Sequence, residues 1–267
     1  MKTVKGLHEK MGTFENANTS FHQAARCKRY TNEVLAFSMV KEEELLRATE
    51  EIQNLTYRQG EYKIFKVFEP KERLIMALPF YDRVVQHMIC NAIQPVFENG
   101  FYYHSYACRS GKGMHAASDT LYQWMYETEV KQGLRMYAFK GDISKYFASI
   151  PHDKLKDENR RYIGDKKALM LMDDIIDHNG ILPDGVGIPV GNLTSQLFAN
   201  VYGNKLDKFC KHVLHIPYFV RYMDDFIILS DDLEQLKEWV KRIEEFLENE
   251  MLLHINPKST ILYAGNA

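Results

Sequence analysis

The chain has 267 residues, 45 % of them hydrophobic and 26 % charged, with a formal net charge of -2, which suits a globular chain of one large domain or two intimate subdomains. No apolar run approaches the roughly 20 residues that a membrane crossing needs, and the polar start MKTVKGLHEK lacks the apolar stretch of a signal peptide, so a cytoplasmic protein with no membrane contact is expected. The four cysteines, Cys27, Cys90, Cys108 and Cys210, are scattered without a CxxC pair, which argues against a zinc site or a disulfide framework.

In chain order, residues 41–55 (KEEELLRATEEIQNL) predict a solvated amphipathic helix. Residues 61–68 (EYKIFKVF) alternate as a strand does, residues 70–72 predict a turn, and residues 73–78 a second strand, together a hairpin rich in Lys and Arg. Residues 80–97 read as a helix that stops before Asn99-Gly100, and residues 137–143 as a strand that carries Asp142 near its end. Helices follow over 152–162 and 166–178. Residues 180–191 (GILPDGVGIPVG) hold too much Gly and Pro for anything but a loop or short hairpin. A helix then runs from Asn192 or Thr194 to His212, a hairpin over 217–230, a charged amphipathic helix over 232–250, and a pair of short strands over 252–263. This order is α+β and fits an antiparallel sheet backed by helices on one face.

The segment 217–230, PYFVRYMDDFIILS, carries the chemistry. Two β-prone runs flank Met223-Asp224-Asp225, and the spacing allows a tight hairpin with the acids at its tip. Adjacent carboxylates beside an apolar hairpin repel each other and are costly near a core. A solvent-facing turn tolerates aspartate too, so the pair alone does not choose. Asp142, at the end of another apolar strand, adds to it. If these strands are neighbours, Asp142 and Asp224 converge, and two such carboxylates can bridge two Mg²⁺ ions roughly 3.5–4 Å apart. Phosphoryl transfer needs positioning and charge neutralisation rather than a nucleophilic side chain.

Tyr222-Met223-Asp224-Asp225 after an apolar strand resembles the signature hairpin of reverse transcriptases, and KGDISKYFASI at 140–150 resembles their first carboxylate motif. GIPVGNLTSQLFAN at 187–200 is similar to their template-and-nucleotide motif and HINPKST at 254–260 to the palm motif that follows. EPKERLIMALPFYDRVVQ at 69–86 and FYYHSYACRSGKGMHAA at 101–117 resemble finger motifs of bacterial enzymes related to group II intron maturases. The six motifs stand in the family's order over about residues 60–262. The resemblance implies a right-hand polymerase with N-terminal extension and fingers at 1–83 and 151–190, palm at 84–150 and 191–267, and the helical thumb missing from these residues. Residues 1–150 carry 20 basic against 17 acidic side chains and residues 151–267 carry 14 against 19, a polarity compatible with a basic nucleic-acid track and an acidic metal pocket.

The same resemblance implies residue roles. Asp142, Asp224 and Asp225 are the catalytic acids. Asp142, Ile143, Asp224 and Asp225 stand at the metals, two Mg²⁺ ions with Mn²⁺ as a substitute. Lys71 and Arg73 match the basic pair that grips the incoming triphosphate, although a solvated charged hairpin has the same look. Phe147 matches the steric gate that excludes a 2′-hydroxyl, against the commoner role of a core aromatic. Val190, Gly191 and Gln196 line the nascent base pair, and Lys258 either protonates pyrophosphate or caps a strand end. Arg109 and Lys112 are candidates for template phosphates or a base.

Val190 before Gly191, with Ser195-Gln196 closing the motif, departs from the Gln-Gly of group II intron enzymes and is similar to reverse transcriptases of diversity-generating retroelements, as is Ser105–Gly113. That implies error-prone copying of template RNA into cDNA from a primer and dNTPs, with a basic accessory protein as partner. Retron, group II intron and phage-defence reverse transcriptases share the palm motifs and stay as alternatives, as does a non-catalytic nucleic-acid-binding scaffold, which the three intact aspartates disfavour.

Overall fold

The computed structural model describes residues 3–68 and 72–263. In chain order its elements are α1 (Leu7–Met11), α2 (Phe14–Ala24), α3 (Asn32–Met39), α4 (Lys41–Gln53), β1 (Lys63–Phe68), β2 (Glu72–Ala77), α5 (Phe80–Glu98), α6 (Met114–Met125), β3 (Tyr137–Asp142), α7 (Tyr146–Ser149), α8 (His152–Tyr162), α9 (Lys166–Asp177), α10 (Leu193–Lys208), β4 (Tyr218–Tyr222), β5 (Asp225–Ser230), α11 (Leu233–Phe246) and β6 (Thr260–Tyr263). Single π-helical turns extend α6, α10 and α11. No helix among the described residues is long and apolar enough to cross a membrane.

Two compact units divide the chain, Met1–Gly100 with His152–Phe198 and Phe101–Pro151 with Ala199–Ala267. In the first, α5 is the central helix. Its Val84, Val85, Met88, Ile89 and Ile93 are buried, and α1, α2 and α3 pack against it. Residues 84–98 group with these helices because α1, α2 and α3 cover the apolar side of α5. Asp165 ties the unit's ends together. It caps α9 through the amides of Lys167 and Ala168 and accepts the amides of Leu7 and His8 from α1. The hairpin of β1 and β2 pairs Lys63 with Ala77 through Phe68 with Glu72.

The second unit is built on a four-stranded antiparallel sheet in the order β4-β5-β3-β6. Alternation along each strand sorts its side chains onto two faces. One face carries Phe139, Phe219, Phe226 and Ile228, all buried, and α11 packs across β3 and β5. On the other, Met136, Ala138 and Leu229 form a core with Leu121, Trp124 and Met125 of α6. Helix α11 starts where Asp232 accepts the amides of Glu234 and Gln235.

Two expectations change. Residues 252–259 form no strand: Ile255 makes an isolated bridge to Ile143, a turn follows, and β6 alone joins the sheet beside β3. Five helices, α1 to α3, α6 and the short α7, also form where the sequence pattern announces none. The apolar positions of α2 (FENANTSFHQA) are few and separated by polar residues, and Ala17 and Phe21 are buried where α2 packs on α5.

Candidate active site

Strand β3 ends in Asp142 and β5 begins with Asp225, and the two are direct cross-strand partners. Tyr222 of β4 pairs with Asp225 on its other side, so Tyr222, Asp225 and Asp142 share one face at one end of the sheet. Only Met223 and Asp224 connect β4 to β5. Met223 has φ 60, a left-handed backbone that residues other than glycine adopt rarely. A two-residue hairpin favours positive φ because its twist then matches that of the strands. The Met223 side chain is buried, and the Asp224 carbonyl accepts the Ile143 amide at 3.2 Å. Asp142 and Asp224 are half-buried and Asp225 is exposed.

Asp142 is held from three directions. Its amide donates to Ser259 Oγ at 3.0 Å. Its carbonyl accepts the Asn256 amide at 2.7 Å, and its Oδ2 accepts from Asn256 Nδ2 at 2.6 Å. Residues 256–259 form a turn closed by the Ser259 amide on the Asn256 carbonyl at 2.8 Å, with the Lys258 amide on Asn256 Oδ1 at 3.1 Å. Lys258 is therefore carried on the turn that fixes Asp142, and its side chain is exposed. Sequence reasoning named Lys258 from this stretch and missed Asn256 and Ser259. The signal available was Asn-Pro, a turn initiator.

Three carboxylates at one sheet end repel one another, and a cation relieves that repulsion. The donors are all oxygen, which suits a hard divalent ion such as Mg²⁺. Among the described residues no three His, Cys, Asp or Glu side chains are gathered into a metal-holding group.

Phe147 is half-buried on α7, directly after the Tyr146 ring, which it meets edge-on at 5.9 Å between centroids. Lys145 enters this short helix in a left-handed conformation, φ 47. Arg109 Nη1 donates to the carbonyls of Tyr102 at 2.7 Å and Ser105 at 2.8 Å. Lys112 Nζ donates to the Tyr103 carbonyl at 2.9 Å and lies 3.5 Å from the centre of that ring. Both cations thus brace their own loop.

The remaining candidates belong to the first unit. Lys71 lies outside the described residues. Arg73 is exposed on β2, opposite Val67. The Val190 carbonyl accepts the Met76 amide of β2 at 3.1 Å. Gly191 follows at φ 115, where an added Cβ would lie 3.2 Å from the Ile75 side chain. Gln196 is half-buried in the first turn of α10 and lines a cavity with Lys28, Arg83, Gln86 and Gly191.

The profile of the family described as "Reverse transcriptase (RNA-dependent DNA polymerase)" matches residues 66–264. The chain belongs to the reverse transcriptase family. The matched range contains every candidate residue named above. This reverse transcriptase chain is 28 % identical over 134 residues to Protein YkfC of Escherichia coli, covering 48 % of the chain and 34 % of that protein. It is 29 % identical over 137 residues to an uncharacterized 91 kDa protein in a cob intron of Schizosaccharomyces pombe, covering 49 % and 16 %. The matches thus span about a third or less of these curated relatives. Its fold is similar to that of apo telomerase from Candida tropicalis truncated from the C-terminal domain, with a TM-score of 0.57 at 14 % identity over 78 % of this chain and 50 % of that one. Telomerase from Candida albicans in complex with a fragment of telomeric RNA gives 0.56 at 11 % identity, over 78 % and 44 %. Polymerases of this family use divalent metal ions.

Proposed function

We propose that this chain is the fingers and palm of an RNA-directed DNA polymerase that copies template RNA into cDNA by two-metal nucleotidyl transfer. The observation that carries the reading is the register pairing of Asp142 with Asp225, beside a two-residue turn bearing Asp224, in a chain of the reverse transcriptase family. In this reading residues 1–83 and 151–190 are the N-terminal extension and fingers, and residues 84–150 and 191–267 the palm. Asp142, Asp224, Asp225 and the backbone of Ile143 hold two Mg²⁺ ions. When bound, these ions lower the pKa of the primer 3′-hydroxyl and neutralise the triphosphate.

The side chains do the rest. Lys71 and Arg73 bind the triphosphate, Phe147 excludes a 2′-hydroxyl, and Val190, Gly191 and Gln196 shape the space for the nascent pair. Lys258, exposed on the turn that holds Asp142, serves the leaving pyrophosphate. Arg109 and Lys112 bind the template from the loop whose carbonyls they also contact. Template RNA, primer and dNTPs are the substrates, and the protein works in the cytoplasm.

The finer assignment is to an error-prone enzyme of a diversity-generating retroelement, with a basic accessory protein as partner. Val190-Gly191 and Ser195-Gln196 support it. The test is primer extension on an RNA template with Mg²⁺ and dNTPs, comparing the parent with Asp142→Asn and Asp224→Asn. Extension by the parent and none by either folded variant is the expected result. Near-normal extension by either variant sinks the assignment of the aspartates.

A further inference from the structure

We infer that Arg221, braced by Asp207, is the positioning residue that aims Asp224 at its metal. The inference rests on the polymerase reading above. Arg221 follows the sheet's alternation onto the face opposite Asp142 and Asp225, and its exposure is 0 %. A buried guanidinium three residues before Asp224 needs an account, because an unpaired charge there would be strongly unfavourable.

Every N–H of the guanidinium has a partner, and an arginine has five to give. Nε donates to Asp207 Oδ1 at 2.6 Å and Nη2 to Asp207 Oδ2 at 2.8 Å, a two-pronged pairing with a carboxylate that is also 0 % exposed. Nη2 also donates to Ser105 Oγ at 3.1 Å, and Nη1 to Asn200 Oδ1 at 3.5 Å. The remaining donor goes from Nη1 to the carbonyl of Met223 at 2.9 Å. Burial opposes the charge on Arg221, and Asp207, together with Tyr146 and Cys210, more than offsets it.

That last bond reaches the metal hairpin. The Met223 carbonyl belongs to the peptide plane that precedes Asp224, and peptide planes are rigid. The plane that follows is held by the Ile143 amide on the Asp224 carbonyl at 3.2 Å. With both planes pinned, the direction of the Asp224 side chain from its α-carbon is set. The plane Arg221 holds is also the strained one, since Met223 keeps φ 60 without being glycine. The helix accommodates the arrangement: an added Cβ at Gly203 of α10 would lie 2.5 Å from Arg221 Nη1 and 2.9 Å from Tyr146 Oη. A simple core ion pair accounts for Asp207 but gives no reason to spend a donor on the turn.

The experiment replaces the pair with apolar residues of similar size, Arg221→Met with Asp207→Leu, an exchange that buried ion pairs often survive. Arg221→Lys is the second variant, keeping the charge with three donors in place of five. Each is read for its thermal transition, for Mn²⁺ binding by electron paramagnetic resonance, and for the Mg²⁺ concentration that half-saturates primer extension. Folded variants that need at least tenfold more Mn²⁺ and Mg²⁺ than the parent are expected. A folded variant with the parent's Mn²⁺ affinity overturns the inference, as does failure of both variants to fold, which would make Arg221 a stability residue. A parent that binds Mn²⁺ but extends no primer counts against the polymerase reading, while the Mn²⁺ comparison still decides the role of Arg221. A parent that binds no Mn²⁺ overturns both.

Discussion

Asn256 Nδ2 donates to Asp142 Oδ2 at 2.6 Å while the Asn256 amide donates to the Asp142 carbonyl at 2.7 Å. One residue thus fixes both the backbone and the side chain of the first candidate acid. A hydrogen bond to a charged group is worth about 1.5–3 kcal/mol. Asn256→Ala is therefore expected to slow primer extension about tenfold or more at limiting Mg²⁺, with recovery as Mg²⁺ is raised. A metal titration that coincides with the parent's would remove Asn256 from the site.

Phe147 follows Asp142 by five residues and stands half-buried on α7. If its ring closes the space beneath the sugar, Phe147→Val is expected to admit ribonucleotides that the parent rejects. The measurement is the ratio of ribonucleotide to deoxynucleotide incorporation on one template. An unchanged ratio in an active variant returns Phe147 to the core.

Gly141 precedes Asp142 with no room for a side chain. A Cβ there would press into the Phe226 ring and approach Phe139 Cε1 to 2.8 Å. Overpacking of this kind costs about 1–3 kcal/mol, so Gly141→Ala is expected to lower Tm by about 2 °C or more. A melt followed by circular dichroism decides it, and an unchanged Tm would mean that the ring stack yields freely.

The fidelity prediction rests on Val190. Its carbonyl is engaged with the Met76 amide, a backbone contact that Val190→Gln leaves in place. The apolar side chain makes no polar contact with a base, and polar contacts left unpaired by a wrong partner are a strong source of discrimination. One such contact at about 1.4 kcal/mol corresponds to about tenfold in misincorporation. Val190→Gln is expected to copy RNA more accurately than the parent, chiefly opposite template adenine. Sequencing of cDNA made by both, with the accessory protein present where activity needs it, is the measurement. A parent as accurate as a group II-type enzyme at every template base would contradict the diversity-generating assignment.

By itself the sequence determined the family and the local form of its chemistry. Motif order, the β-prone runs around Met223-Asp224-Asp225 and the strand ending in Asp142 are short-range features, set by side-chain type and spacing along a few residues. The long helix α5 and the strands β3, β4 and β5 were legible for the same reason, since their apolar residues recur with a clear period. Only the tertiary structure decided the rest. Which aspartate faces Asp142 depends on strand register, which puts Asp225 opposite and leaves Asp224 on the turn. Asn256, 114 residues from Asp142, and Asp207, 14 residues from Arg221, announce nothing in sequence, because a hydrogen bond's partner is chosen by where the fold brings the chain back. A buried charge such as Arg221 looks like any surface arginine until the sheet and α10 remove the water around it, and then every donor must find a partner within the protein.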